Sequence, residues 1–169
     1  MKKITLLFIF IAFVFFATNT EAQSAKKRKE AGWMVTNYEV ECMGTGMDGT
    51  QLIKVWGYAK KPNDAILQAK KNAVHAIIFK GVTAGKPGCM TRPLSTEPGA
   101  EEKHNEYYET FFTDGGPYLK FISISGEGAE DRVKVGKMYK CAIVVSVNHS
   151  ALRKELEAAG VIKKLDAGF

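Results

Sequence analysis

Between Pro62 and Gly81 the apolar residues Ala65, Ile66, Ala69, Ala73, Ala76 and Ile77 fall three and four positions apart, with Lys80 closing the row. That spacing is one face of a 3.6-residue helix. Pro62 suits the first turn, Asn63 or Asp64 can cap it, and Gly81 ends it. Because the stripe is mostly alanine, the helix axis can approach a covering sheet closely, so the stripe is expected to be a packing surface. Gln68, Lys70, Lys71, Asn72 and His75 are expected mainly on the outer flank. His75 there reads as an exposed or hydrogen-bonded side chain rather than a functional one.

Strand patterns precede this helix. From Trp33 to Cys42, Tyr38, Val40 and Cys42 alternate with Glu39 and Glu41, the signature of a half-buried strand. Gly44, Gly46, Asp48 and Gly49 supply a turn. From Gln51 to Ala59, Leu52, Lys54, Trp56 and Tyr58 then stand opposite Ile53, Val55 and Gly57. A β-hairpin is expected. Gly44 and Gly46 lack the third glycine and the following helix of a dinucleotide fingerprint, so they do not indicate phosphate binding.

Beyond the helix, residues 84–103 hold Gly85, Pro87, Gly88, Pro93, Pro98 and Gly99, a density that neither a helix nor a central strand tolerates. A long loop is expected there, and loops of that length are often functional, which makes it the place to look for a partner contact. Glu101, Glu102 and His104 at its end have no second histidine at metal-site spacing, so a solvated loop end is the simpler reading. His104 to Thr113 is expected to be a short helix whose Tyr107, Tyr108, Phe111 and Phe112 pack into the core. Tyr107 and Tyr108, with their polar handles, are the candidate residues for a partner surface.

Tyr118 to Ser125, Arg132 to Lys137 and Met138 to Val147 read as strands. The run Cys141 to Val145 is expected to form the sheet's spine. Ser150 can cap a final helix with Leu152, Leu156 and Ala159 inside and Gly160 at its end. The order β-β-α-loop-α-β-β-β-α predicts an α+β fold: a two-layer sandwich, its sheet mainly antiparallel, its helices packed on one face.

The N-terminus constrains location. Lys2 and Lys3, the apolar run Ile4 to Ala17 and the small residues Thr20 and Ala22 have the order of a secretory signal peptide cleaved after Ala22. The apolar run of roughly fourteen residues would span only about 21 Å as a helix, short of a hydrocarbon core of about 30 Å. A periplasmic or secreted product is expected. Its remaining length of about 147 residues suits a basic flexible tail over 23–32 and a single domain over 33–169. The tail carries Lys26, Lys27, Arg28 and Lys29, read as a solvated end or, alternatively, a contact for an anionic lipid or polysaccharide. Four basic residues on an exported chain do not point to nucleic acid.

Three cysteines, Cys42, Cys89 and Cys141, leave at least one thiol unpaired within the chain. Cys42 and Cys141, both in strand-like segments, are the pair that could face one another across a sheet, with Cys89 in a loop. Buried inert thiols are the simpler expectation. No CxxC motif is present.

The segment Val55-Trp56-Gly57-Tyr58, followed by Pro62, Asp64-Ala65, Ala69, Asn72-Ala73 and Ala76, resembles exported domains of small outer-membrane lipoproteins and the N-terminal domain of the flagellar assembly protein FlgT. The Gly-then-Pro-Asn-Asp-Ala segment is also similar to SIMPL-type periplasmic domains. Both resemblances imply an envelope-associated, non-enzymatic role and supply no catalytic residues.

His75, His104 and His149 fall in separate segments, and no serine or cysteine elbow joins them. The expectation is therefore an exported binding or assembly module with an envelope protein partner or self-association. No catalytic, cofactor or metal residues are assigned. A peripheral anionic-surface binder, and after it a hydrolase, are the alternatives.

Overall fold

The structure is a computed structural model that describes residues 37–125 and 131–165. The leader, the basic tail with Lys26, Lys27, Arg28 and Lys29, and the first residues of the expected opening strand lie outside the described residues. In chain order the elements are β1 (Val40–Thr45), β2 (Thr50–Ala59), α1 (Pro62–His75), α2 (Ala100–Lys103), α3 (Asn105–Phe111), β3 (Ile122–Ile124), β4 (Asp131–Val135), β5 (Met138–Asn148) and α4 (His149–Ala158). The fold is α+β, with one antiparallel five-stranded sheet.

Strand order is β1-β2-β5-β3, and β4 also pairs with β5. Ile122 to Ile124 face Val147 to Val145, and Asp131 to Val135 face Ala142 to Met138. β3 and β4 therefore run along the same edge of β5. Pairing β2 with β5 over Thr50–Ala59 makes this the longest ladder, and β5 is the interior strand that its apolar run predicted.

One face of that ladder, Ile53, Val55, Cys141, Ile143 and Val145, is wholly buried. α1 lies across it. A Cβ placed on Gly57 would sit 2.5 Å from the Ala69 nitrogen and nearer still to the Ala65 carbonyl, so the helix backbone rests directly on the strand. Ala65, Ala69 and Ala73 are fully buried, the close approach that an alanine stripe permits.

The flank of α1 departs from expectation. Gln68, Lys71 and Asn72 are buried rather than exposed. Asn72 Nδ2 donates to the Trp56 carbonyl at 2.8 Å, and Gln68 Nε2 donates to Asn72 Oδ1 at 2.9 Å, so two buried amides are satisfied by a tertiary contact. Lys71 buries its stem and delivers its amine to the exposed Asp114, 2.6 Å away.

After His75 the helix widens into a π-turn (Ala76–Lys80) closed by the Gly81 N–H on the Ala76 carbonyl. Gly81 has φ +75°, and a Cβ there would meet the Thr91 carbonyl at 2.7 Å. The carbonyls of Ile77 and Ile78 instead accept from the N–H groups of Leu94 and Ser95. The long loop is thus tied to the helix end. Its last four residues are also helical, as α2, where a loop was expected.

Cysteine pairing differs from the sequence expectation. Cys42 is bonded to Cys89, with Cα atoms 5.9 Å apart, and Cys141 is a buried free thiol. Cys42 lies opposite Ile53 and Cys141 opposite Gly57, both on β2. β2 therefore separates the pair that strand character suggested. The loop reaches Cys42 by adding to β1: Cys42 N–H donates to the Ala84 carbonyl, and Lys86 N–H to the Cys42 carbonyl.

Two further boundaries moved. The expected strand at Tyr118 begins only at Ile122, because Pro117–Phe121 is a 3-10 turn whose three-residue repeat buries both Tyr118 and Phe121. α4 starts at His149 and is capped by Asn148, whose Oδ1 accepts from Ala151 N–H at 2.9 Å, rather than by Ser150.

Candidate functional site

The two tyrosines singled out from the sequence separate. Tyr108 is fully buried, its ring edge-on to Phe79 with centroids 4.9 Å apart, so it belongs to the core and offers no surface to a partner. Tyr107 is half-buried and stacks on Phe111 at 5.6 Å. Burial pushes the Tyr107 and Tyr118 hydroxyls up to about 12, with the Glu155 and Asp114 carboxylates adding to the respective shifts. α3 and the 3-10 turn thus make a small aromatic core beside α1.

His75 is drawn into a chain of polar contacts. Tyr38 Oη lies 2.6 Å from His75 Nδ1, and His75 Nε2 lies 3.2 Å from Glu101 Oε1. Burial, with the Glu101 charge behind it, raises the Tyr38 hydroxyl far above its ordinary range, so the phenol keeps its proton. A hydroxyl, an imidazole and a carboxylate in line is the arrangement that activates nucleophiles. Here the hydroxyl is nearly inaccessible, and the contacts join the segment before β1, the end of α1 and α2. Lys80 tightens the same junction, its amine 2.7 Å from the Tyr38 carbonyl and 4.6 Å from the centre of the Tyr38 ring.

The other histidines stand apart. His104 and Glu102 line a recess of about 540 Å³ with Tyr107 and Glu106. Glu101 is turned to His75. His149 opens α4, where burial, and then the nearby Arg153 charge, lowers its proton affinity. Among the described residues no group of three or more His, Cys, Asp or Glu side chains is placed to hold a metal ion. No helix among them is long and apolar enough to cross a membrane.

The sheet face opposite α1 combines aromatic rings and lysines. Alternation puts Lys54, Trp56 and Tyr58 of β2 there, beside Lys140, Ala142 and Val144 of β5. The Lys54 and Lys140 amines lie 5.3 and 5.4 Å from the centre of the Trp56 ring, and Lys140 lies 5.6 Å from that of Tyr58. Lys54 also pairs with Asp131 at 2.6 Å, and Lys140 with Glu39 at 2.7 Å. Toward β4 the face turns apolar: Val133 is 54% exposed, Val135 55% and Met138 40%.

These residues were visible in the sequence as an alternation, yet nothing local said that α1 would cover the other face of the ladder. Tyr38 and Glu101 were missed as partners of His75 because they lie 37 and 26 residues from it. No protein-family model, curated protein or solved structure matches the chain.

Proposed function

We propose that this is an exported cell-envelope protein whose domain is a non-enzymatic binding or assembly module, and that the sheet face opposite α1 meets an envelope protein partner. The observation that carries the reading is the exposed strip of Val133, Val135 and Met138 continuing into the half-exposed Trp56 and Tyr58. Aromatic and apolar residues framed by paired charges are the composition of a protein-protein contact. The Cys42–Cys89 disulfide supports export, since such bonds persist in oxidising compartments. The resemblance to envelope-associated domains points the same way.

A different protein is favoured over a second copy at the β4 edge. All five β4 residues are exposed, and an antiparallel pairing of two β4 strands centred on Val133 would set Arg132 against Lys134. Like charges directly opposite one another destabilise a strand pair.

Photo-crosslinkers placed at Trp56 and Val133 of the mature protein test the reading in envelope extracts. Adducts are expected from both positions and not from Lys154 on α4. Combining Trp56→Ala with Val133→Lys should cut the yield at other sites on that face about tenfold, with the melting temperature little changed. A mature protein that is monomeric and captures nothing through this face would overturn the proposal.

A further inference from the structure

On the helix side of the molecule a groove of about 710 Å³ runs between the end of the long loop and the chain after α4. Four cationic side chains from three separate stretches line it: Arg92, Arg153, Lys163 and Lys164. Against them stands one lining carboxylate, Glu97, and it is already bonded to Lys103 at 2.7 Å. That hydrogen bond first, and Lys163 more weakly, hold the Glu97 carboxyl below its ordinary range. Arg153 shares a single contact of 3.2 Å with Glu157. Arg92 and Lys164 are exposed and make no ion pair among the described residues.

Cations at positions 92, 153 and 163–164 have no local reason to converge. Folding brings them together on one groove, where a bound anion would interact with all four. The groove also has an apolar side. Leu94, Val161 and Ile162 are buried in its floor, and Leu165 on its rim is 71% exposed next to the two lysines. Basic residues flanking an exposed leucine suit a molecule that is charged at one end and apolar at the other.

We propose that this groove binds an anionic amphiphile, its phosphate or carboxylate head held by Arg92, Arg153, Lys163 and Lys164 and its apolar part lying along Leu94, Ile162 and Leu165. The volume is that of a small-molecule site. The groove shares no lining residue with the sheet face. A lipid headgroup in a bilayer and a soluble anionic lipid present the same chemistry to it.

The mature full-length protein tests this with three probes: inorganic phosphate, monomeric dihexanoyl phosphatidylglycerol, and phosphatidylcholine vesicles with and without phosphatidylglycerol. Binding is followed by amide shifts at residues 92–97 and 161–165 and by co-sedimentation. The short lipid is expected to bind more tightly than phosphate. Arg92→Ala with Lys164→Ala should weaken the short lipid about tenfold to thirtyfold, and Leu165→Ser should weaken it without changing phosphate. Replacing Lys26, Lys27, Arg28 and Lys29 with serine, or Trp56 with alanine, should leave it unaltered. Binding to the vesicles but not to the short lipid, if lost in the double variant, would also uphold the proposal and assign the source to a membrane surface. No binding of any lipid probe, equal affinity for phosphate and lipid, or indifference to the double variant would overturn it.

Discussion

The two faces of the β2–β5 ladder are made from alternate residues of the same strands and solve opposite problems. On the helix side the side chains are apolar and buried, and Gly57 lets the backbone of α1 come down onto the strand at Ala65 and Ala69. On the other side Lys54, Trp56, Tyr58 and Lys140 are long, and each charge or ring leans on a neighbour. Trp56 stands opposite Ala142 and Lys54 opposite Val144, so large residues on one strand shelter small ones on the next. The first face depends on shape, where one added carbon has nowhere to go. The second depends on interchangeable polar and aromatic contacts, and such a surface is free to change for the sake of a partner.

The largest effect should come where the shape-dependent face is tied to the loop. Cys42→Ala with Cys89→Ala opens a loop closed across 47 residues, and chain entropy alone predicts a loss of about 4 kcal/mol. Urea unfolding with and without reductant measures it, and reductant should leave the double variant unaffected. A loss well under 1 kcal/mol would mean that the backbone hydrogen bonds of Cys42 with Ala84 and Lys86 already hold the loop.

Adjacent residues on opposite faces give the next test. Gly57→Val must drive α1 off the sheet, because the new Cβ alone overlaps the Ala65 carbonyl and the Ala69 nitrogen. A loss of about 3 kcal/mol is expected in denaturant unfolding. Tyr58→Val, one residue on, keeps a good strand former and should cost about 1 kcal/mol or less. Equal effects at the two positions would break the comparison.

What could be read from the sequence follows the same division. Alternation in β1 and β2 and the alanine spacing of α1 are local patterns that the structure places on the expected face, and the apolar run of β5 lies in the interior strand. Asn72 reads as polar and outward until the Trp56 carbonyl is known to lie beneath it. Cys89 reads as a loop residue until the loop is seen to pair with β1. Tyr118 alternates like a strand, yet Pro117 starts a 3-10 turn that buries it. The cationic groove leaves only one local trace, the pair Lys163-Lys164 after Gly160, since Arg92 and Arg153 join it from far along the chain. Periodicity reports which side of an element is covered, and it is silent on distant segments that meet.

The smallest expected effect asks whether the polar face contributes stability at all. The hydrogen bond from Lys140 is the main cause holding the Glu39 carboxyl below its usual value, with Tyr58 and Lys80 adding to it. A carboxyl with a lowered folded-state pKa stabilises at pH values above its unfolded value of about 4.3, and that contribution is lost as the pH falls through the folded value. Because the pair is exposed to solvent, about 0.5 kcal/mol is expected rather than the full shift. Glu39→Gln should therefore match the wild type in acid, fall about 0.5 kcal/mol below it at neutral pH, and regain parity in high salt. A difference that survives salt would mean that the Glu39 side chain packs rather than pairs. No difference at any pH would sharpen the contrast between the faces: the lattice of charges and rings would then add nothing to folding, and its arrangement would have to be explained by what binds there.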